Sequence, residues 1–151
     1  MDKAGRLSIV RFPARAYQLK QIRSIVHSAM KQLGCAQLDS DKIVLAINEA
    51  CMNVIQHAYA EDQGGEIILE IFDEHSVEKG SVLFRLTDFA APVDECRICS
   101  RDLDDVRPGG LGVHIIQEVM DSVEFKHPAD GKGNILEMRK RLDCREEPHE
   151  S

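Results

Sequence analysis

Two pairs of strand-like runs, each pair split by one turn-forming stretch, constrain this chain most. Glu66 to Phe72 and Ser81 to Thr87 are rich in Ile, Leu, Val and Phe, and flank the polar stretch Asp73 to Gly80. Ser122 to His127 and Gly133 to Leu142 flank the turn Pro128-Ala129-Asp130-Gly131. Consecutive runs of this kind read as hairpins. A sheet built from them is mixed or antiparallel, and such a sheet needs helices to cover its apolar face.

The remaining segments supply those helices. Leu7 to Phe12 reads as a short strand stopped by Pro13. From Ala14 to Leu33 the residues Leu19, Ile22, Val26, Ala29 or Met30, and Leu33 form one helical stripe, and Gly34 stands where a left-handed C-cap is expected. A second helix starts near Asp39 or Ser40, both favoured N-caps, with Asp41 in its first turn. It runs to about Ala58, with an apolar side of Ile43, Ile47, Ala50, Cys51, Val54 and Ile55. Glu61 to Gly65 is a loop. Ala90 to Gly110 lacks periodicity and has the length of a lid or binding loop. Leu111 to Met120 is a third helix.

The order β-α-α-β-β-lid-α-β-β implies a two-layer α+β sandwich, a mixed or antiparallel sheet with its helices on one face. A single domain over residues 1–142 and a polar tail over 143–151 account for the chain, whose 151 residues suit one domain. With 43% hydrophobic residues, only 5% aromatic ones and no Trp, the core must be aliphatic.

Charge and cysteines narrow the function classes. The balance is 19 basic against 26 acidic residues, a net −7, with no long basic run. Nucleic-acid binding needs clustered Lys and Arg and is disfavoured; a basic protein partner is easier to reconcile with this charge. No apolar run reaches transmembrane length and no signal-peptide core is visible, so the expectation is a cytoplasmic protein without a membrane role. The five cysteines are odd in number and irregularly spaced, which fits reduced thiols.

Three short stretches could carry chemistry. Glu49, Asn53 and His57 are spaced i, i+4, i+8 and share one helix face. A carboxylate and an amide one turn apart can present oxygens to Mg²⁺, or the carboxylate can take a proton from a nucleophile. The same spacing also fits a solvated polar face. Asp88 ends a buried-looking strand, where it could accept a hydrogen bond from an exocyclic amine or simply start a turn. Pro108-Gly109-Gly110-Leu111-Gly112 runs into a helix, so its backbone N–H groups and the helix N-terminus could hold a phosphate. It is neither a dinucleotide-binding fingerprint nor a Walker A loop.

Order and context link these stretches. Glu49-Ala-Cys-Met-Asn53-Val-Ile-Gln-His57-Ala-Tyr59 resembles the N box of the GHKL (histidine kinase-like ATPase) superfamily. Asp88-Phe-Ala-Ala-Pro-Val-Asp94 resembles its G1 box, and Gly109-Gly-Leu-Gly-Val-His-Ile-Ile116 its G2 box. The Glu-Ala-x-x-Asn-x-x-x-His-Ala-Tyr form and the small size are most similar to bacterial anti-sigma factor serine/threonine kinases. The resemblance spans about Leu7 to Leu142.

It implies a Bergerat-type fold holding ATP and Mg²⁺ beneath a lid. Glu49 would be the general base, Asn53 the Mg²⁺ ligand, and Asp88 the acceptor for the adenine amino group. Gly110 and Gly112 would belong to the phosphate loop; His57, Ala90, Gly109 and Leu111 complete the nucleotide-contacting set. The implied reaction is γ-phosphoryl transfer to a Ser or Thr of a STAS-type anti-sigma factor antagonist, with a sigma factor as the second partner. Family members commonly dimerise, while the residues leave the oligomeric state open.

Ala90 departs from the pattern, which has glycine there. A positive φ would cost an alanine about 1 kcal/mol or more, and a close approach would set its methyl against the nucleotide. This motivates a second expectation, a kinase-inactive module that only sequesters a partner. A third is a phosphotransfer domain using His27 or His57. Cys96 and Cys99 form a lone Cys-x-x-Cys with no second ligand pair, read as ordinary thiols, and His114 is expected to pack on its helix.

Overall fold

The computed structural model describes residues 5–58, 65–75, 79–90, 108–128 and 133–142, with 57–58 and 108–113 described by backbone alone. Five strands form one sheet: β1 (Arg6–Pro13), β2 (Glu66–Asp73), β3 (Ser81–Asp88), β4 (Ser122–Lys126) and β5 (Asn134–Arg141). Their spatial order is β1-β2-β3-β5-β4 and every pairing is antiparallel. Of the two sheet types the hairpin pattern allows, the chain adopts the antiparallel one. Among the described residues three α-helices accompany the sheet, α1 (Leu19–Gln32), α2 (Gln37–Asn53) and α3 (Pro108–Val119).

Register sorts the strand residues into two faces. Ile71, Phe84 and Met138 lie in one cross-strand row, and Leu69, Leu86 and Leu136 in the next. These residues join Leu19, Ile22, Val26, Ala29, Met30 and Leu33 of the first helical stripe, and Ile43, Ile47, Ala50, Cys51 and Ile55 of the second, in one core. The helices thus share a single face, and aliphatic side chains fill the layer between.

The opposite face carries Glu70, Arg85 and Glu137 in one row, with Phe72 and Leu83 beside it. Phe72 and Leu83 are buried yet stand apart from the main core; the Arg85 guanidinium lies 4.9 Å from the Phe72 ring centroid. Arg85 Nε bonds Glu137 Oε2 at 2.9 Å, and Lys126 Nζ lies 3.0 Å from Glu137 Oε1. Burial alone would raise the Glu137 carboxyl, but Lys126 and Arg85 together hold it below the usual carboxylate range. A group with a lowered folded-state pKa stabilises fully above its unfolded value, and that stability is lost as pH falls through the folded one. Glu137→Gln is therefore expected to flatten the acid limb of stability, read from thermal melts between about pH 6 and pH 3. An acid limb as steep as that of the parent chain would contradict this role.

The first helix ends as its sequence predicts. Gly34 has φ +78°, its N–H donates to Lys31 O, and the Cys35 N–H donates to Met30 O, both at 3.0 Å, which is the Schellman pattern. The second helix begins earlier than expected. Its N-cap is Ala36, extended at ψ 146° with no side-chain cap, rather than Asp39 or Ser40. The turn closed at Gly34 returns the chain at once, and the Ser40 N–H already bonds Ala36 O at 2.9 Å. Ser40 itself is buried and cannot serve at an exposed helix start. After Asn53 the helix continues as a π-helical turn, Val54–Ala58. The third helix starts at Pro108, not Leu111. Proline at a first helical position loses no intrahelical bond and has its φ preset, so Gly109, Gly110 and Gly112 form the opening turns of α3 rather than a separate turn ahead of it.

Candidate functional site

Connectivity decides which ends of the elements meet. Pro13, Glu66, Asp88 and Asn134 lie at one end of the sheet, since Pro13 pairs with Glu66 and Asp88 with both Ile67 and Asn134. β1 ends here at Pro13, α1 runs away from this end and α2 packs beside it after a short turn, so the C-terminal half of α2, with Glu49 and Asn53, lies toward it. α3 ends just before β4, whose Ser122 pairs with Arg139 at the far end. Its N-terminus at Pro108 therefore points back toward Asp88. α2 and α3 pack side by side. The topology thus brings a carboxylate–amide pair, a helix N-terminus and a strand-end aspartate to one end of the molecule.

Asp88 is the anchor of this end. It sits in the row of Ile67 and Asn134 on the helix-facing side, and only 5% of it is exposed. Its Oδ1 accepts two bonds, from the Ala90 N–H at 3.0 Å and from Asn134 Nδ2 at 2.9 Å. Burial pushes the carboxyl above its ordinary range, while the bonds from Asn134 and Ala90 pull against that rise. Its other oxygen, Oδ2, accepts nothing from the described residues.

Glu49 and Asn53 are both half-buried. Neither has a hydrogen-bond or ion-pair partner among the described residues, whereas Asn48, beside Glu49, receives a bond from Arg23 at 2.9 Å. One oxygen-bearing pair suits Mg²⁺, which keeps most of its shell as water and phosphate oxygens and needs no full protein cage. Among the described residues no cluster of three or more His, Cys, Asp or Glu forms a closed metal site. Cys51, on the same helix, is fully buried, and burial pushes its thiol up to about 12. That thiol is a core group, not a nucleophile.

Ala90 is 8% exposed and belongs to the apolar core. Its methyl is buried there, and its N–H caps Asp88. His114 is exposed rather than packed: the buried side of α3 is formed by Ile116, with Ile115 and Val119 half-buried. His57 lies in the π turn. Pro92, Cys96 and Cys99 fall outside the described residues. Backbone alone is described for Gly109, Gly110, Leu111 and Gly112, and they open α3.

Two residues escaped the sequence reading. Gly133-Asn134 looks like the end of a hairpin turn, yet Asn134 is the side-chain partner of Asp88, and Gly133 is what lets the chain reach that position. Gly133 has φ +82°, and a Cβ there would lie 2.3 Å from the Asp88 carbonyl oxygen. The available signal was a Gly-Asn pair at the head of a strand whose register faces Asp88. Pairing of non-adjacent strands had to be known to use it.

Comparison with known proteins gives the family and the fold. Residues 12–140 match the family model of the histidine kinase-like ATPase domain. The chain is 28% identical over 131 residues to the serine-protein kinase RsbW of Bacillus mycoides strain KBAB4, covering 84% of this chain and 81% of that one. It is 30% identical over 122 residues to the serine-protein kinase RsbW of Bacillus cereus strain AH820, covering 78% and 76%. Its fold is similar to the RsbU and RsbW domains of Rv1364c from Mycobacterium tuberculosis, with a TM-score of 0.59 at 17% identity; the match covers 89% of this chain and about a third of that one, 32%. It is similar in fold to a chain of the SiaB–SiaC complex from Pseudomonas aeruginosa, with a TM-score of 0.59 at 12% identity and 90% of both chains covered. Among the described residues no helix is long and apolar enough to cross a membrane.

Proposed function

The chain belongs to the histidine kinase-like ATPase family, and from that premise we propose that it is an anti-sigma regulatory factor with ATP-dependent serine/threonine protein kinase activity. It binds a sigma factor and transfers the γ-phosphoryl group of ATP to a Ser or Thr of a STAS-type anti-sigma factor antagonist. The observation that carries the reading is the buried Asp88, with one oxygen tied down and the other accepting nothing from the described residues, at the end of the fold toward which Glu49, Asn53 and the start of α3 lie. The relatives named serine-protein kinase support the same reaction class.

Each residue has a task in this reading. Asp88 Oδ2 accepts the exocyclic amine of adenine. The N-terminus of α3, opened by Gly109 and Gly110, offers free N–H groups and its partial positive charge to the phosphates; Leu111 and Gly112 follow in the same turns, and His57 and Ala90 flank the nucleotide. Asn53 supplies an oxygen to Mg²⁺, which when bound neutralises phosphate charge. Glu49 takes the proton from the attacking hydroxyl.

A kinase-inactive module would draw its support from Ala90 in place of glycine. Burial of that methyl in the core weakens the argument that it intrudes on the nucleotide. Incubation with Mg·ATP and a STAS-type antagonist is expected to give a phosphoserine or phosphothreonine detectable by mass spectrometry. Nucleotide binding by calorimetry without any phosphorylated antagonist would favour the inactive module instead.

A further inference from the structure

A groove of about 450 Å³ opens between α2 and α3, and nucleotide binding gives it no task. Its apolar walls are Leu45 from α2 and Ile115 and Val119 from α3. Leu45 is 45% exposed while Ile43, Ala46 and Ile47 beside it are buried, so α2 turns this leucine away from the core. Polar side chains surround the three. Lys140 Nζ, from β5, lies 3.8 Å from Asp121 Oδ1. Asp39, Lys42 and Glu118 make no hydrogen bond or ion pair among the described residues. With Lys140 matched by Asp121, the rim keeps two unpaired acids against one unpaired base.

The two helices carry this groove toward the nucleotide end. They run antiparallel, since the C-terminal half of α2 and the N-terminus of α3 lie toward the same end of the sheet. Glu49 follows Leu45 by one turn on the same face of α2, and Gly112 precedes Ile115 by one turn on α3. The apolar walls therefore lead to the carboxylate proposed to take a proton and to the helix start proposed to hold phosphates.

We propose that this groove docks the antagonist beside its acceptor Ser or Thr. The inference rests on the proposed kinase function. A hydroxyl delivered to Glu49 brings the antagonist surface within about one helical turn, ~5 Å, of Leu45. To cover Leu45, Ile115 and Val119 that surface presents an aliphatic side chain. The excess of acid on the rim, on a chain of net charge −7, matches a basic residue next to it. The antagonist, unlike the sigma factor, must bring a group to Glu49, which makes it the occupant of a groove that leads there.

The test is phosphorylation of a purified STAS-type antagonist by the whole chain at saturating Mg·ATP. Leu45→Asp should raise KM for the antagonist by about tenfold or more, the effect of losing one buried anchor. It should leave kcat and ATP affinity within about twofold, because docking is lost and no group at the reacting atoms is. Glu118→Lys reverses one exposed, unpaired charge, so it keeps the fold. It should raise KM by about threefold and make it less sensitive to salt. An unchanged KM in both variants overturns the inference and leaves the kinase reading standing. An unchanged KM with weakened sigma-factor binding also overturns it, and gives the groove to the sigma factor. If the parent chain transfers no phosphate, the kinase reading fails and calorimetric binding of the same antagonist decides the groove. Weaker binding by Leu45→Asp than by the parent supports docking there; equal affinity in the two, or none in either, overturns it.

Discussion

Glu49→Ala is expected to lower the rate of antagonist phosphorylation by about 10²–10⁴-fold, the usual span for loss of a general base, while ATP affinity stays within about threefold. The structure makes this a clean substitution. Glu49 is half-buried, makes no hydrogen bond or ion pair among the described residues, and stands outside the apolar core. Alanine is the best helix former, so α2 should keep its length and Asn53 its place. Glu49→Gln sharpens the result, since it keeps the shape and the hydrogen-bonding oxygen but cannot take a proton. Single-turnover phosphorylation with purified antagonist measures both variants. If Glu49→Gln retains the parent rate, Glu49 orients the hydroxyl and proton removal belongs elsewhere.

The residues that made this site legible in sequence are those whose spacing is local. The i, i+4 relation of Glu49 and Asn53 is set by helix geometry alone, and the aliphatic stripe of α1 is buried as its periodicity predicts. The paired strands are legible for the same reason, because a hairpin joins neighbours in sequence. What was hidden depends on tertiary packing. The start of α2 was misplaced because Asp39 and Ser40 are good caps by type, while the Gly34 turn had already delivered the chain at Ala36. His114 is exposed although it lies in an apolar segment, since Ile116 is on the inward side of α3. Asn134 lies 46 residues from Asp88, and only the pairing of β3 with β5, which skips β4, brings them together. Ala90 departs from the glycine of the pattern, and only packing shows that its methyl lies among core residues.

Gly133→Ala should be the most damaging single-methyl change in the described sheet, and its comparison with Gly80→Ala separates two causes. Both glycines have nearly the same left-handed backbone, φ +82° and φ +78°. The conformational cost of a side chain is therefore similar at each, about 1–2 kcal/mol. Their surroundings differ. A Cβ on Gly80 would meet Leu142 O at 3.4 Å, whereas one on Gly133 would lie 2.3 Å from Asp88 O and 3.2 Å from Phe89 Cα. Those neighbours are backbone, so the new methyl can be relieved only by moving the end of β3 away from β5. Gly80→Ala should accordingly cost about 1–2 kcal/mol by urea denaturation, and Gly133→Ala about 3 kcal/mol or more, since the overpacking adds to the strain. The shift also carries Asp88 with it. Folded Gly133→Ala should bind ATP at least about tenfold more weakly, the loss expected when an anchoring carboxylate is misplaced, while Gly80→Ala should bind as the parent does. Equal losses of stability in the two variants would mean that backbone strain alone fixes these glycines. Unchanged ATP affinity in Gly133→Ala would separate the head of β5 from the nucleotide site.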